Sequence, residues 1–106
     1  MGLFTKKEMD NAAAEAFWQW FVQDEDRIIE ALGRYDMDIV REIDGHLAPV
    51  FPYYKEELEF QLGFSEGSGE FILFHLGHKS LQRDGEHFCA MLPEELSERW
   101  TFTLEE

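Results

Sequence analysis

The sequence predicts an α+β fold: a two-layer sandwich of element order α-α-β-β-α-β, with helices on one face of a small, mostly antiparallel sheet. Three observations predict it. Apolar residues from Met9 to Leu32 recur at three- and four-residue steps, the period of a helix with one buried stripe. Leu58, Phe60, Leu62 and Phe64 alternate with Glu57, Glu59, Gln61 and Gly63, the period of a strand with one buried face. Glycine- and proline-bearing segments separate these runs from the apolar stretches that follow.

Taken in chain order, Thr5-Lys6-Lys7-Glu8 has the spacing of a capping box and predicts a helix over residues 5–32. Met9, Ala13, Ala16, Phe17, Trp20 and Phe21 form its stripe, and Ile28, Ile29 and Leu32 extend it. The acidic run Asp24-Glu25-Asp26 marks either a kink dividing the helix or a solvated face, and Gly33 offers a stop. Asp36 or Asp38 caps a second helix whose apolar face is Ile39, Val40, Ile43 and Leu47. Pro49 and Pro52 end it, leaving Ala48 to Tyr54 as an extended linker. The alternating strand leads through a turn, Ser65 to Gly69, into Glu70-Phe71-Ile72-Leu73-Phe74-His75-Leu76. That run is apolar almost throughout, which predicts the central strand, covered on both faces. Gly77 breaks it, and Lys79 to Met91 follow as a helix in which Gly85 permits close packing. Pro93 restarts the chain in a helical turn, Glu94 to Arg99. Trp100, Phe102 and Leu104 alternate with threonines as a third strand, reached by a right-handed crossover if it runs parallel to the second.

The chain has 106 residues, the length of one domain, and 44% apolar residues, enough to fill a core. Its formal net charge is -14. Such a field repels nucleic acid phosphates and anionic lipid surfaces and attracts basic proteins. The cations Lys6, Lys7, Arg27, Arg34, Arg41, Lys55, Lys79, Arg83 and Arg99 are scattered rather than gathered into a stripe, so no nucleic-acid or membrane partner is expected. The lone cysteine, Cys89, cannot form an internal disulfide, and no signal peptide, myristoylation site or apolar run of membrane-spanning length is evident; a cytoplasmic location is expected.

Several segments together carry a resemblance. Phe17-Trp18-Gln19-Trp20-Phe21 lies on a helix with Glu25 beyond it, and Leu58-Glu59-Phe60-Gln61-Leu62-Gly63 leads into a hairpin ending Glu70-Phe71-Ile72-Leu73. Leu92-Pro93 closes a helix, and Trp100-Thr101-Phe102 opens the last strand. In these the chain resembles a group of small uncharacterised bacterial α+β domains with an aromatic first helix, a Glu-bearing hairpin and a closing Pro…Trp segment. The resemblance implies architecture and no activity, cofactor or partner.

Few residues suggest chemistry. His75, His78, His87 and Cys89 carry zinc-binding side chains, but His87 and Cys89 are two apart on a helix and face away from one another. The plainer reading is a half-buried strand histidine, two surface histidines and a packed cysteine. Cys89 has no neighbouring base that faces it and no Asn or Asp partner, so no catalytic residue is assigned. The glycines match neither dinucleotide- nor P-loop spacing, and no cofactor is expected. Glu57, Glu59 and Gln61 share one strand face, which reads either as a solvated surface or as a place for cations. Trp18, Val22 and Ile29 form a second apolar stripe on the first helix, to be covered by the second helix or by another protein. The expected function is a non-catalytic, acidic protein-binding module of immunity or inhibitor type, meeting a basic protein through Glu56, Glu57, Glu59 or the Asp24–Asp26 run, with Trp18, Val22, Glu57 and Glu59 as contact candidates. The alternatives are a self-associating structural or regulatory domain using Trp18 or a free sheet edge, and a small metal-dependent enzyme or sensor.

Overall fold

The computed structural model of the chain describes residues 8–54 and 56–106. The first helix, α1 (Asn11–Gly33), starts where Asp10 accepts a hydrogen bond from the Ala13 N–H at 3.0 Å, satisfying one of the donors that a helix start leaves open. The Asp10 N–H donates to Val50 O at 2.8 Å, tying this start to the chain forty residues on. The cap is thus Asp10 and not the Thr5–Glu8 box, of which Glu8 is not helical and Thr5 lies outside the described residues. α1 runs on in one piece through Asp24-Glu25-Asp26. All three of those carboxylates have partners: Asp24 holds Arg27 at 3.0 Å, Glu25 accepts from Arg99 at 2.8 Å and from the Trp100 indole at 3.0 Å, and Asp26 stands 3.6 Å from Arg99. Past Gly33 the chain turns at Tyr35, whose φ of 57° puts a non-glycine residue in the left-handed region.

The second helix, α2 (Asp38–Leu47), has Met37 at its N-cap, not Asp36 or Asp38; Asp36, one residue earlier, accepts from the Asp38 N–H at 3.0 Å. Ile39, Ile43 and Leu47 are buried at helical spacing. The expected extended linker is instead a 3₁₀ turn, Ala48–Val50, followed by a buried Phe51. The prolines shape a segment that plugs the core, because Val50 and Phe51 carry enough apolar surface to be drawn in.

Strands β1 (Glu59–Ser65) and β2 (Ser68–Phe74) pair antiparallel from Glu59↔Phe74 to Ser65↔Ser68. Only Glu66 and Gly67 form the turn, both at positive φ (54° and 80°), the mirror-image turn whose twist suits a hairpin. Gly69 therefore belongs to the strand. It lies beneath the Trp100 ring: a Cβ there would meet Trp100 Cε3, with Cδ2 at 2.6 Å and Cζ3 at 2.7 Å. Helix α3 (Lys79–Ala90), the single turn α4 (Glu94–Ser97) and strand β3 (Trp100–Glu105) complete the chain. β3 pairs parallel to β2, so the sheet is mixed, in the order β1-β2-β3 with β2 central.

One side of the sheet carries Phe71, Leu73, Trp100 and Phe102, all buried, and the half-buried Phe60, Leu62 and Phe64. Against it lie α1 and α3. Trp18 meets Phe102 at 4.7 Å and stacks on Phe88 at 4.8 Å, while Phe21 meets Trp100 edge-on at 5.0 Å. Aromatic pairs at such separations add to the burial energy of their rings. At Gly85 of α3 a Cβ would stand 2.7 Å from Leu104 Cδ1, the close approach expected of that glycine. No helix among the described residues is long and apolar enough to cross a membrane.

Candidate functional site

The histidines and the cysteine do not converge. The His75 Nδ1 accepts from the Gly77 N–H at 3.0 Å within the turn that ends β2; His78 and His87 are exposed. Cys89 is half-buried, and burial pushes its thiol up to about 11. A thiol at that value stays protonated near neutral pH, the wrong form for a nucleophile or a ligand. Among the described residues no three His, Cys, Asp or Glu side chains are grouped to hold a metal ion. His75, His78, His87 and Cys89 are thus not gathered into one such group.

The buried charge is elsewhere, where the sequence offered no signal. Asp84 of α3 is buried and accepts from the Tyr53 hydroxyl at 2.7 Å and from Arg83 Nε at 3.0 Å. Burial by itself would push this carboxyl up, but the hydrogen bonds from Arg83 and Tyr53 and the Arg83 charge outweigh it and hold the group below its ordinary range. The Tyr53 hydroxyl is raised, by burial first and then by its bond to Asp84. The carboxylate is satisfied by groups of its own chain, and the cluster fastens the Phe51–Tyr53 segment to α3.

The aromatic surface candidate is also corrected. Trp18 is 3% exposed, sandwiched by Phe17, Phe88 and Phe102, and Val22 and Ile29 pack on the same core. α1 is apolar on two sides because the sheet lies against one and α2, with the 3₁₀ turn that follows it, against the other. Trp18 is therefore not a surface residue, and Val22 offers only part of its side chain.

What stays uncovered is the second face of the sheet. Burial alternates along β2, with Ser68 and Glu70 exposed and Ile72 and Phe74 half-buried, so the central strand is covered on one face and not on both. Register puts Glu59, Gln61 and Gly63 of β1 beside Phe74, Ile72 and Glu70, and Thr101, Thr103 and Glu105 of β3 beside Glu70, Ile72 and Phe74. The face thus has an apolar centre, Ile72 and Phe74, within a rim of Glu59, Glu70, Glu105, Gln61 and two threonines. A shallow hollow of about 230 Å³ lies over Gly63, lined by Gln61, Leu62, Glu70 and Ile72. Gly63 has no atom within 4 Å of where a Cβ would stand, so the hollow has room for a side chain. Glu57 lies just before β1 and is exposed.

The distribution of ion pairs sharpens this. Arg27 pairs with Asp24 and Glu42, Arg34 with Glu30, Arg41 with Asp38, Arg83 with Asp84, and Arg99 with Glu25 and Asp26. Each arginine of the chain is answered on the helical side of the molecule. Glu57, Glu59, Glu70 and Glu105 form no ion pair among the described residues, and neither do Glu15, Glu86 and Glu98 on the helical side, so the sheet shares the charge surplus with the helices. Along the outer edge of β1 one further carboxylate stands near Glu57: burial, then the charge of Glu57, raises the Asp44 carboxyl.

No family model matches the chain, and neither a curated protein nor a solved structure matches it.

Proposed function

We propose that this protein is a non-catalytic, acidic protein-binding module that meets a basic partner through the open side of its sheet, in the manner of a small inhibitor or immunity protein. The observation that carries the reading is the apolar centre, Ile72 and Phe74, inside a rim of Glu59, Glu70 and Glu105, none of which forms an ion pair among the described residues, while the arginines pair with carboxylates elsewhere. A small apolar centre ringed by charge is the usual anatomy of a recognition surface. Complementary charge raises association rate and fixes orientation, and it makes binding salt-dependent. Trp18 has no part in the contact.

An oligolysine of eight residues tests the reading by titration calorimetry at low ionic strength. The triple variant Glu59→Gln/Glu70→Gln/Glu105→Gln is expected to bind about tenfold more weakly than wild type, since three exposed pairs at about 0.5 kcal/mol each sum to that factor. Glu15→Gln/Glu86→Gln/Glu98→Gln removes the same charge from the helices and is expected to change affinity less than threefold. Equal losses in the two triples, or no binding to wild type, would refute the reading.

A further inference from the structure

The outer edge of β1 has a geometry that charge alone does not explain. The Gly69 N–H donates to Arg99 O and the His75 N–H to Glu105 O, so Gly69, Phe71, Leu73 and His75 turn their amides toward β3. Ser68, Glu70, Ile72 and Phe74 consequently turn toward β1 and exchange bonds with Ser65, Gly63, Gln61 and Glu59, their register partners. The remaining residues of β1, Phe60, Leu62 and Phe64, direct their N–H and C=O groups outward. No backbone hydrogen bond from another element reaches them among the described residues. The edge is straight and carries neither proline nor lysine nor a bulge, the usual devices that keep an edge strand from pairing.

A groove follows this edge along its whole length. One hollow of about 290 Å³ is lined by Val40, Asp44, Glu57 and Phe60; the next, of about 350 Å³, by Leu32, Val40, Leu62 and Phe64. They share Val40 of α2; the first sets Val40, Leu58 and Phe60 among Arg41, Asp44, Glu57 and Glu59, and the second is the more apolar. Tyr35 and Met37, 88% and 67% exposed, stand at the far end and are among the most exposed large apolar side chains described. Asp36, Asp44, Glu57 and Glu59 rim the groove, and Arg41, the one cation lining it among the described residues, leans on Asp38 at 3.9 Å.

We propose that β1 accepts an extended segment of the basic partner as a fourth, antiparallel strand, with apolar side chains of that segment in the groove against Val40, Phe60, Leu62 and Phe64 and lysine or arginine side chains over Glu59 and Gln61. The proposal rests on the acidic-module reading and adds the mode of contact. Outward N–H and C=O groups supply main-chain hydrogen bonds, and alternate side chains supply selectivity. Residues opposite Phe60, Leu62 and Phe64 must share their face of the sheet, which fixes the alternation of apolar and basic residues. Charge selects the occupant: a second copy of this chain would bring another -14 to the same edge.

The probe is an eight-residue peptide of alternating lysine and valine, acetylated and amidated, in two backbone-methylated forms. One form carries N-methyl groups on the valines, whose amides face β1 in the proposed register; the other carries them on the lysines. The valine-methylated peptide is expected to bind at least tenfold more weakly than the parent, and the lysine-methylated one within about twofold of it. Amide exchange of Phe60, Leu62 and Phe64 is expected to slow when the parent peptide binds. Equal affinity of the two methylated forms, with the glutamine triple still weakening both, overturns strand addition and leaves the acidic reading intact. Absence of binding by oligolysine and by all three peptides removes the reading and the inference together. A dimer in light scattering, with these amides already protected and no peptide bound, overturns the assignment of the occupant.

Discussion

Gly69→Ala places a methyl group where the Trp100 ring already lies, with ring carbons at 2.6 and 2.7 Å from the new atom. The ring has nowhere to go. Its indole N–H donates to Glu25 at 3.0 Å, Phe21 meets it edge-on at 5.0 Å, and Phe64 flanks it at 5.4 Å. Overpacking of this kind costs about 1–3 kcal/mol. Alanine recovers about 0.5–1 kcal/mol of the entropy that glycine loses on entering a strand. The balance is a destabilisation of about 1.5 kcal/mol, or about 6 °C in Tm for a chain of this size. Urea denaturation followed by tryptophan fluorescence measures it, with Gly63→Ala as the control. Gly63 has open space above it, so that control is expected to be neutral or slightly stabilising. A Gly69→Ala protein as stable as wild type would refute the packing of Trp100 over β2.

Asp84→Asn is expected to cost about 1–3 kcal/mol at neutral pH, because it weakens the bonds from Tyr53 and Arg83 to a buried acceptor. The Asp84 carboxyl is held below its unfolded value, so its contribution is present above about pH 4 and disappears as pH falls through the folded-state value. Wild type is therefore expected to lose more stability than Asp84→Asn between about pH 5 and about pH 3, as measured by denaturation midpoints. Cys89, its thiol pushed up to about 11 by burial, is expected to react with a disulfide reagent near neutral pH far more slowly in the native protein than in denaturant; equal rates would contradict its packing. Trp18→Ala is expected to destabilise the fold by about 3–5 kcal/mol, since it opens a cavity between Phe88 and Phe102. A variant that keeps its stability and loses only binding would contradict the burial of Trp18.

Much of the architecture is legible in the residues because it follows from local period and local breakers. β1 shows alternation and Pro93 precedes α4, whereas β2 ends at Phe74, before His75 and the Leu76-Gly77 turn rather than at Gly77. What escapes the sequence depends on contacts between distant segments. Trp18 reads equally well as core or surface until α3 is known to bring Phe88 over it. Gly69 reads as a turn residue beside Glu66-Gly67, and its pairing with Phe64 and Trp100 makes it part of a strand. Val50 and Phe51 look like a proline-flanked linker because nothing local says that the Asp10 N–H reaches back to Val50. Ile72 and Phe74 suggest a strand covered twice, yet a three-stranded sheet with helices on one side has nothing to cover the other. Of the candidate contacts, Glu59 was visible as part of an alternating acidic face; Glu70, Glu105 and the outward amides of β1 required the register of both ladders.

The claim on which the account depends is that a basic ligand is held by the sheet and not by the net charge as a whole. Nitrogen-15 shift mapping during titration with oligolysine tests it most directly. Perturbations are expected at Glu59–Gly63, Glu70–Phe74 and Thr101–Glu105, fading as salt shortens the Debye length below about 8 Å. Shifts spread evenly over the helices, or centred on the Asp24–Asp26 run, would contradict it.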